Sequence, residues 1–126
     1  MTERTASQER KRRSYFFGLI AEWMAAGLLM LKGYRPIAWR ERTSAGEVDL
    51  IVQRGKTLVF VEVKARVSQR AAAESIQPRQ RARLTRAAAA FMQKHPRYTK
   101  LSPRFDAVLV SPGEFPVHIE NAWGAE

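Results

Sequence analysis

Three charged side chains interrupt two apolar segments of the chain. Asp49 lies in the segment GEVDLIV (residues 46–52), and Glu62 and Lys64 lie in the segment LVFVEVK (residues 58–64). Burying a carboxylate without a partner is so unfavourable that sequences use such positions mainly where a metal ion or an opposite charge compensates it. The two segments therefore predict a site built from acids and a lysine.

The two segments are predicted to form a hairpin. If Arg54-Gly55 is its two-residue loop, the strand register follows from the turn. Glu62 then lies opposite Glu47 and diagonal to Asp49, which places the carboxylates about 5 to 8 Å apart, within reach of one cation. The other side of the hairpin is wholly apolar in this register, so we expect it to pack against a helix.

The residue types at this place suit phosphodiester hydrolysis. An all-oxygen site with few protein ligands is typical of Mg²⁺ or Mn²⁺, which keep several waters and also bind phosphate oxygens. Lys64 is on the same side as Glu62, where an ammonium group can position or activate the attacking water and offset developing negative charge. The alternative is a cross-strand salt bridge among Asp49, Glu62 and Lys64 on a solvated sheet face.

The rest of the chain predicts the elements that hold this hairpin. Apolar periodicity, turn residues and prolines indicate the order αβββαββ, an α/β or α+β domain with a mixed sheet. Helices are predicted at 9–32 and 79–94, with Pro78 in the first turn of the second, and strands at 34–42, 47–53, 57–65, 104–111 and 117–121. Residues 67–77 are predicted to be a connection, residues 1–8 a disordered tail, and residues 9–126 one domain.

The first predicted helix is strongly apolar. Its large side chains recur at helical spacing along one stripe, formed by Phe16, Ile20, Trp23, Gly27 and Met30. The apolar run 16–31 is shorter than the roughly 20 residues that span a bilayer, and it contains Glu22. We therefore expect a helix buried in the domain, no membrane association and a cytoplasmic protein.

Composition favours a nucleic-acid partner. The chain of 126 residues has 22 Lys and Arg against 12 Asp and Glu, a formal net charge of +10. Such an excess is typical of proteins that bind phosphate backbones, although it also solubilises small domains. The absence of cysteine excludes disulfides, zinc–thiolate sites and thiol catalysis. His95 and His118 are too far apart in sequence for a helical metal pair, so both are predicted to be structural or on the surface.

Arginines on the second predicted helix form a regular pattern. Arg79, Arg83 and Arg86 fall at i, i+4 and i+7, and no acid interrupts residues 79–94. We predict that they contact phosphates together with Arg40, Arg42 and Arg66. Such contacts produce salt-dependent, sequence-independent affinity, and no sequence-reading motif is visible. A solvated helix face is the alternative.

An ordered set of short motifs resembles a known family. The motifs are G-x-x-A-E (18–22), K-G-Y (32–34), G-E-V-D-L-I (46–51), F-V-E-V-K-A-R (60–66) and R-F-D (104–106). Together they resemble the restriction-endonuclease-like nucleases of the PD-(D/E)XK superfamily. The closer resemblance is to the YraN-like family, small bacterial proteins expected to be endonucleases, which is similar to archaeal Holliday junction resolvases. Val48 stands where the superfamily pattern has proline.

The resemblance implies a restriction-endonuclease-like mixed β-sheet flanked by helices and a role for each site residue. Asp49 and Glu62 are implied metal ligands, and Lys64 is the implied catalytic lysine. Glu22 is implied to complete the metal site, and Gln80 corresponds to a helix residue that supports such sites. Alternatives remain for both, since Glu22 fits an exposed helix position and Gln80 fits a helix cap.

Two further acids are open to more than one interpretation. Glu47 is either a ligand through water or a turn residue, and Asp106 either belongs to the site region or only pairs with Arg104.

The functional hypothesis is a metal-dependent endonuclease that acts on DNA rather than RNA. The resemblance extends this to branched or junction DNA. Cutting both strands of a junction needs two sites, so a two-fold homodimer is expected. The competing hypothesis is a non-catalytic nucleic-acid-binding module that retains a nuclease fold.

Overall fold

The computed structural model describes residues 5–123, which begin with a long helix. Helix α1 spans Ala6–Leu31. It starts with a capping box, in which the Thr5 hydroxyl accepts the Gln8 backbone N–H and the Gln8 side chain accepts the Thr5 N–H. Gly33, with a φ of +91°, lets the chain leave the helix. The helix therefore starts within the predicted tail 1–8, of which residues 1–4 lie outside the described residues.

Five strands form one mixed sheet. They are β1 (Arg35–Thr43), β2 (Gly46–Arg54), β3 (Thr57–Ala65), β4 (Ser102–Val110) and β5 (Val117–Ile119). They lie side by side in chain order, and all neighbours are antiparallel except β3 and β4. The mixed α/β prediction is thereby confirmed.

Two helices connect the parallel strands β3 and β4. They are α2 (Gln69–Glu74) and α3 (Pro78–Lys94), followed by a 3₁₀ turn at Pro96–Tyr98. Helix α2 lies in the segment 67–77 that was predicted to be a connection, so the observed order is αβββααββ. Its six residues are too few to show a periodicity, but the Ser68 hydroxyl caps it by accepting the Ala71 N–H.

The register of the β2–β3 hairpin differs from the prediction. The loop is Gly55-Lys56 rather than Arg54-Gly55, and the ladder ends at the pair Leu50–Val61. Gly55 has a φ of +60°, as the first central residue of a type II′ turn requires, and this requirement places the loop one residue later. Each partner shifts by two residues, an even number, so most side chains keep their predicted faces. Val48 is an exception: it was predicted on the same face as Leu50 but packs beneath α3, whereas Leu50 packs beneath α1. The predicted pairing of Glu62 with Glu47 was wrong.

The helices cover both faces of the sheet. Helix α3 buries Leu84, Ala87, Ala88 and Phe91, as its pattern predicted, against Ile51, Leu58 and Phe60. On the other face, α1 packs small residues and one leucine against a valine-rich surface. These α1 residues are Ala21, Ala25, Ala26 and Leu29.

The predicted inner stripe of α1 was wrong. Phe16, Ile20 and Met30 are exposed, and Trp23 is 70% exposed with its ring 5.0 Å from that of Trp39. A helix that is apolar on almost every side does not show by its periodicity which side faces the core. Here the alanines allow the helix backbone to approach the sheet closely, and the large side chains therefore lie outside. By length and composition alone, α1 could cross a membrane, yet its alanine side belongs to the core.

A buried carboxylate on β4 ties together several elements. Asp106, 0% exposed, accepts two hydrogen bonds from Arg104, one from the Asn121 N–H and one from His118 Nε2. Lys32 Nζ lies 2.6 Å from His118 Nδ1, and since an ammonium group only donates, Nε2 must carry the imidazole proton. Burial raises the pKa of Asp106, but its hydrogen bonds from His118, Arg104 and Asn121 outweigh burial and lower it. Of the two roles left open for Asp106, the structure shows pairing, with more partners than Arg104 alone.

We expect Asp106→Asn to lower the free energy of unfolding at pH 7 by about 2 to 3 kcal/mol, because it removes the fully buried carboxylate that binds the partly buried Arg104 guanidinium. Since the native pKa of Asp106 is lowered, the loss should shrink as the pH falls. Urea unfolding measures both. The control is Glu120→Gln, an exposed acid 3.9 Å from Arg104, which should change stability by less than about 0.5 kcal/mol. Equal stability of wild type and Asp106→Asn would contradict this assignment.

Candidate active site

The regular alternation of side chains along strand β2 is interrupted at Asp49. Val48 belongs to the core beneath α3, whereas Leu50, two residues later, belongs to the core beneath α1. On the neighbouring strand β1, Arg40 has a φ of +50°, which is unusual for a residue other than glycine. Both features mark a local irregularity of the kind that redirects a side chain. Asp49 therefore points where regular alternation would not place it.

The Asp49 carboxylate takes the place of a main-chain acceptor. Its Oδ2 accepts the backbone N–H of Val63 at 2.8 Å, immediately beyond the last ladder pair, Leu50–Val61. A side chain between two strands keeps their backbones apart, so the ladder ends here. Asp49 thus lies at the opening between β2 and β3.

The surroundings of Asp49 contain too little positive charge to keep its carboxyl group fully ionised near neutral pH. Burial raises its pKa, and the negative charges of Glu62 and Glu22 raise it further. The Val63 N–H and Lys64 oppose this, and the resulting pKa is about 7. A carboxylate in this situation gains from a nearby cation.

Glu62 and Lys64 lie beside Asp49 with a third charged group that was not predicted there. Glu62 Oε1 is 3.6 Å from Lys64 Nζ, and its Oε2 accepts a 2.7 Å hydrogen bond from Arg83 on α3. Arg83 also donates to the Glu47 carbonyl at 3.0 Å. Lys64 is only 7% exposed. Arg83 was predicted to bind phosphates, but in the structure it neutralises a site carboxylate.

Glu22 approaches the site from α1. It lines a cavity of about 570 Å³ together with Asp49, and its Oε1 accepts a 2.7 Å hydrogen bond from Arg40 Nε. The basic partner of Glu22 thus comes from β1 rather than from its own helix. Arg40, like Arg83, is engaged by a carboxylate.

The acids of the site are matched in number by cations. Three acids, Asp49, Glu62 and Glu22, face three cations, Lys64, Arg83 and Arg40. Within residues 5–123, no three acidic or histidine side chains are grouped closely enough to hold a metal ion jointly. The oxygen-only donors suit a hard divalent cation. For such a cation to use Glu62 or Glu22 fully, the paired arginine must move away.

The remaining predicted site residues lie in three different settings. Gln80 Oε1 accepts the Gln77 N–H at the start of α3, which is the cap role left open for it. Glu47 is half exposed at the start of β2, with Arg42 as a weak partner at 3.7 Å. Arg66 is exposed and lines the cavity next to Asp49.

Two arginines of α3 remain on its outer surface. Arg79 and Arg86 are exposed, whereas Arg83 turns toward the sheet. A signal for Arg83 was present in the sequence, because it follows Gln80 by three residues and therefore shares its side of the helix. Nothing comparable in the sequence connects Arg40 with Glu22.

The raised pKa of Asp49 predicts how the free energy of unfolding depends on pH. Between pH 4 and pH 7 the native state retains a proton that the unfolded state has lost, so the free energy of unfolding should fall as the pH rises. The total cost at pH 8 is at most roughly 4 kcal/mol, since one pKa unit corresponds to about 1.4 kcal/mol.

We therefore expect Asp49→Asn to be more stable than wild type at pH 8 in chelator-treated buffer, with the difference nearly absent at pH 4. The amide oxygen can still accept the Val63 N–H. Denaturant unfolding at several pH values measures the difference, and Glu47→Gln, at a half-exposed acid, serves as the control. Identical pH profiles for wild type and Asp49→Asn would show that Asp49 ionises normally.

Comparison with known proteins identifies relatives over most of the chain. A UPF0102 protein of Methylorubrum extorquens (strain PA1) is 50% identical over 117 residues, which cover 93% of this chain and 91% of that protein. A UPF0102 protein of Parvibaculum lavamentivorans is 51% identical over 110 residues, 87% of this chain and 83% of that protein. One of Mesorhizobium japonicum is 47% identical over 123 residues, 98% of this chain and 97% of that protein.

A family model agrees with these relatives. It is described as "Uncharacterised protein family UPF0102" and matches residues 21–110. This range includes the acids of the site, Lys64 and Arg83. The predicted YraN-like membership is confirmed at this level, and the protein belongs to the UPF0102 family.

Proposed function

We propose that this protein is a metal-dependent endonuclease that hydrolyses phosphodiester bonds in DNA. The observation that carries the proposal is the opening between β2 and β3. There the Asp49 carboxylate is fixed by the Val63 N–H beside Glu62 and the buried Lys64. A fixed carboxylate, a second acid and an ammonium group in one opening are the side chains that this chemistry needs. The resemblance to restriction-endonuclease-like nucleases supports the same conclusion.

Each side chain has a distinct role in the proposal. Asp49 and Glu62, with Glu22, would hold Mg²⁺ or Mn²⁺, which supplies a Lewis acid for the phosphate and makes water more acidic. The Val63 N–H orients the Asp49 carboxylate. Lys64, held near Glu62 by charge, positions the attacking water and offsets the negative charge that develops on the phosphate.

Arg83 and Arg40 act as temporary counter-ions in this proposal. They neutralise Glu62 and Glu22, and if these acids held a divalent cation, each guanidinium would be available to bind a phosphate of the substrate. Because the acids of the site do not outnumber its cations, little net negative charge would attract a divalent ion. Cation binding should therefore be weak without DNA and stronger with it.

The pairing of both glutamates with arginines also favours a second candidate. A site whose acids are already neutralised needs no cation. A nucleic-acid-binding module that retains a nuclease fold, without activity, would keep these ion pairs permanently. Cation affinity separates this candidate from the nuclease.

The surface charge supports DNA as the partner. Arg42, Arg66, Arg79 and Arg86 are exposed and can contact phosphates without reading sequence. The proposed preference for DNA over RNA, the preference for branched DNA and the cytoplasmic location rest on the family resemblance and the sequence. Because the arginines would bind phosphates, the proposal predicts that DNA affinity falls steeply as the salt concentration rises.

The outer face of α1 suits a two-fold homodimer. Its apolar stripe is nearly symmetric about Trp23, so antiparallel packing of two copies would place Phe16 of one opposite Met30 of the other. Gly27, where an added Cβ would meet nothing within 4 Å, leaves room for close approach. An isologous contact of this kind uses the same patch on both copies, as a two-fold axis requires. An exposed stripe of this size is typical of an interaction surface.

The enzyme proposal predicts cleavage of DNA that depends on a divalent cation. Pure protein with Mg²⁺ or Mn²⁺ should cut duplex, flap or four-way-junction DNA, and Asp49→Asn or Lys64→Ala should slow cutting about a hundredfold or more. Gel analysis of end-labelled DNA measures the rates. Glu120→Gln, outside the site, should cut like wild type. Equal cutting by wild type and both site variants, or by none, would contradict the assignment.

A titration distinguishes the nuclease from the non-catalytic module. In the nuclease, Arg83→Ala frees Glu62, so Mn²⁺ affinity should rise severalfold, and Glu62→Gln should cancel the gain. In the binding module, Arg83→Ala should leave Mn²⁺ affinity unchanged. Isothermal titration calorimetry measures the affinities.

The dimer proposal predicts a mass of twice 14.4 kDa in solution. Trp23→Glu should convert the dimer into a monomer, because it places two charges at the centre of an apolar contact. Light scattering measures the mass. Phe115→Ser, which removes a large exposed side chain elsewhere, should remain dimeric. A monomeric wild type at micromolar concentration would rule the interface out.

A further inference from the structure

The cavity beside Asp49 is more apolar than phosphate chemistry requires. Its volume is about 570 Å³, and Glu22 and Asp49 form its acidic part. The rest of its wall is largely apolar, with Phe17, Gly18, Val63, Ala65, Val67 and Pro112. Phosphates are bound by cations and N–H groups, so the apolar walls would not bind a phosphate. They fit an uncharged group attached to the phosphate, and a nucleobase is such a group.

The apolar surface continues beyond the cavity. A second depression of about 360 Å³ shares Phe17 and Pro112 with the first and is also lined by Met24 and Phe115. Phe115 is 90% exposed. Aromatic side chains along a groove with basic residues nearby are typical of proteins that stack unpaired bases. Arg66, at the first cavity, supplies the basic group.

We propose that the cavity receives an unpaired nucleobase of the DNA strand, next to the phosphate at Asp49. The inference rests on the proposed nuclease function and names its substrate class. Bases in a continuous duplex are stacked and must be unpaired before they can enter such a cavity. The preferred substrates are therefore single strands and flaps, whose bases are already unpaired, with Phe17 as a stacking surface.

Gly18 offers a way to close the cavity without disturbing the fold. A Cβ added there would meet no atom within 4 Å, and glycine within a helix is less favourable than leucine or alanine. Gly18→Leu should therefore place a bulky side chain in the cavity and obstruct it while α1 stays folded. Gly18→Ala adds similar helix propensity with far less volume and is the matched control.

The test is binding of fluorescently labelled DNA, measured by anisotropy in EDTA so that no cleavage occurs. We expect wild type and Gly18→Ala to bind a flap substrate about tenfold more tightly than a duplex of equal length. Gly18→Leu and Phe17→Ala should lose this preference and bind duplex like wild type. An abasic nucleotide at the branch point should weaken wild type about tenfold and leave Gly18→Leu unchanged.

The outcomes separate this inference from the nuclease proposal. If Gly18→Leu keeps the full flap preference, or if the abasic nucleotide has no effect on wild type, the base-binding cavity is ruled out even when the protein cleaves DNA. If flap preference depends on Gly18 and Phe17 but no substrate is ever cut, the cavity stands and the nuclease proposal fails.

Discussion

The hydrogen bond from the Val63 N–H to the Asp49 carboxylate is the contact on which the site depends. Because it substitutes a side chain for a backbone acceptor, it ends the β2–β3 ladder and opens the sheet at one position. The opening exposes Asp49 to the cavity under α1 while keeping it beside Glu62 of β3. Without this contact, two regular strands would close over the place where the charges meet.

The sheet contains one fully buried aspartate, Asp106, and one partly buried aspartate, Asp49, whose surroundings shift the carboxyl pKa in opposite directions. Asp106 receives four hydrogen bonds, two of them from a guanidinium, and its pKa is lowered. Asp49 receives one from the backbone, lies near two other acids, and has a raised pKa. The first arrangement stabilises the native state. The second costs stability, and a protein retains such a cost mainly where a ligand removes it.

Helix α1 packs against the sheet with one set of residues and exposes another set to solvent. Its alanines allow a close approach to the valine-rich face, and this approach brings Glu22 and Gly18 to the cavity beside Asp49. Its large side chains, which the sheet does not cover, lie on the opposite side. One helix thus contributes an acid, a cavity wall and the surface proposed for self-association.

The sequence by itself determined the strands, the α3 core stripe and the grouping of Asp49, Glu62 and Lys64 in one place, because alternation and helical periodicity are local patterns. Only the tertiary structure decided which charges pair. Arg83 and Arg40 reach Glu62 and Glu22 from distant elements, and a salt bridge leaves no periodic trace in either partner. The tertiary structure also decided which side of α1 is buried. Because this helix is apolar on most sides, its orientation depends on the shape of the sheet that it contacts and not on its own sequence pattern.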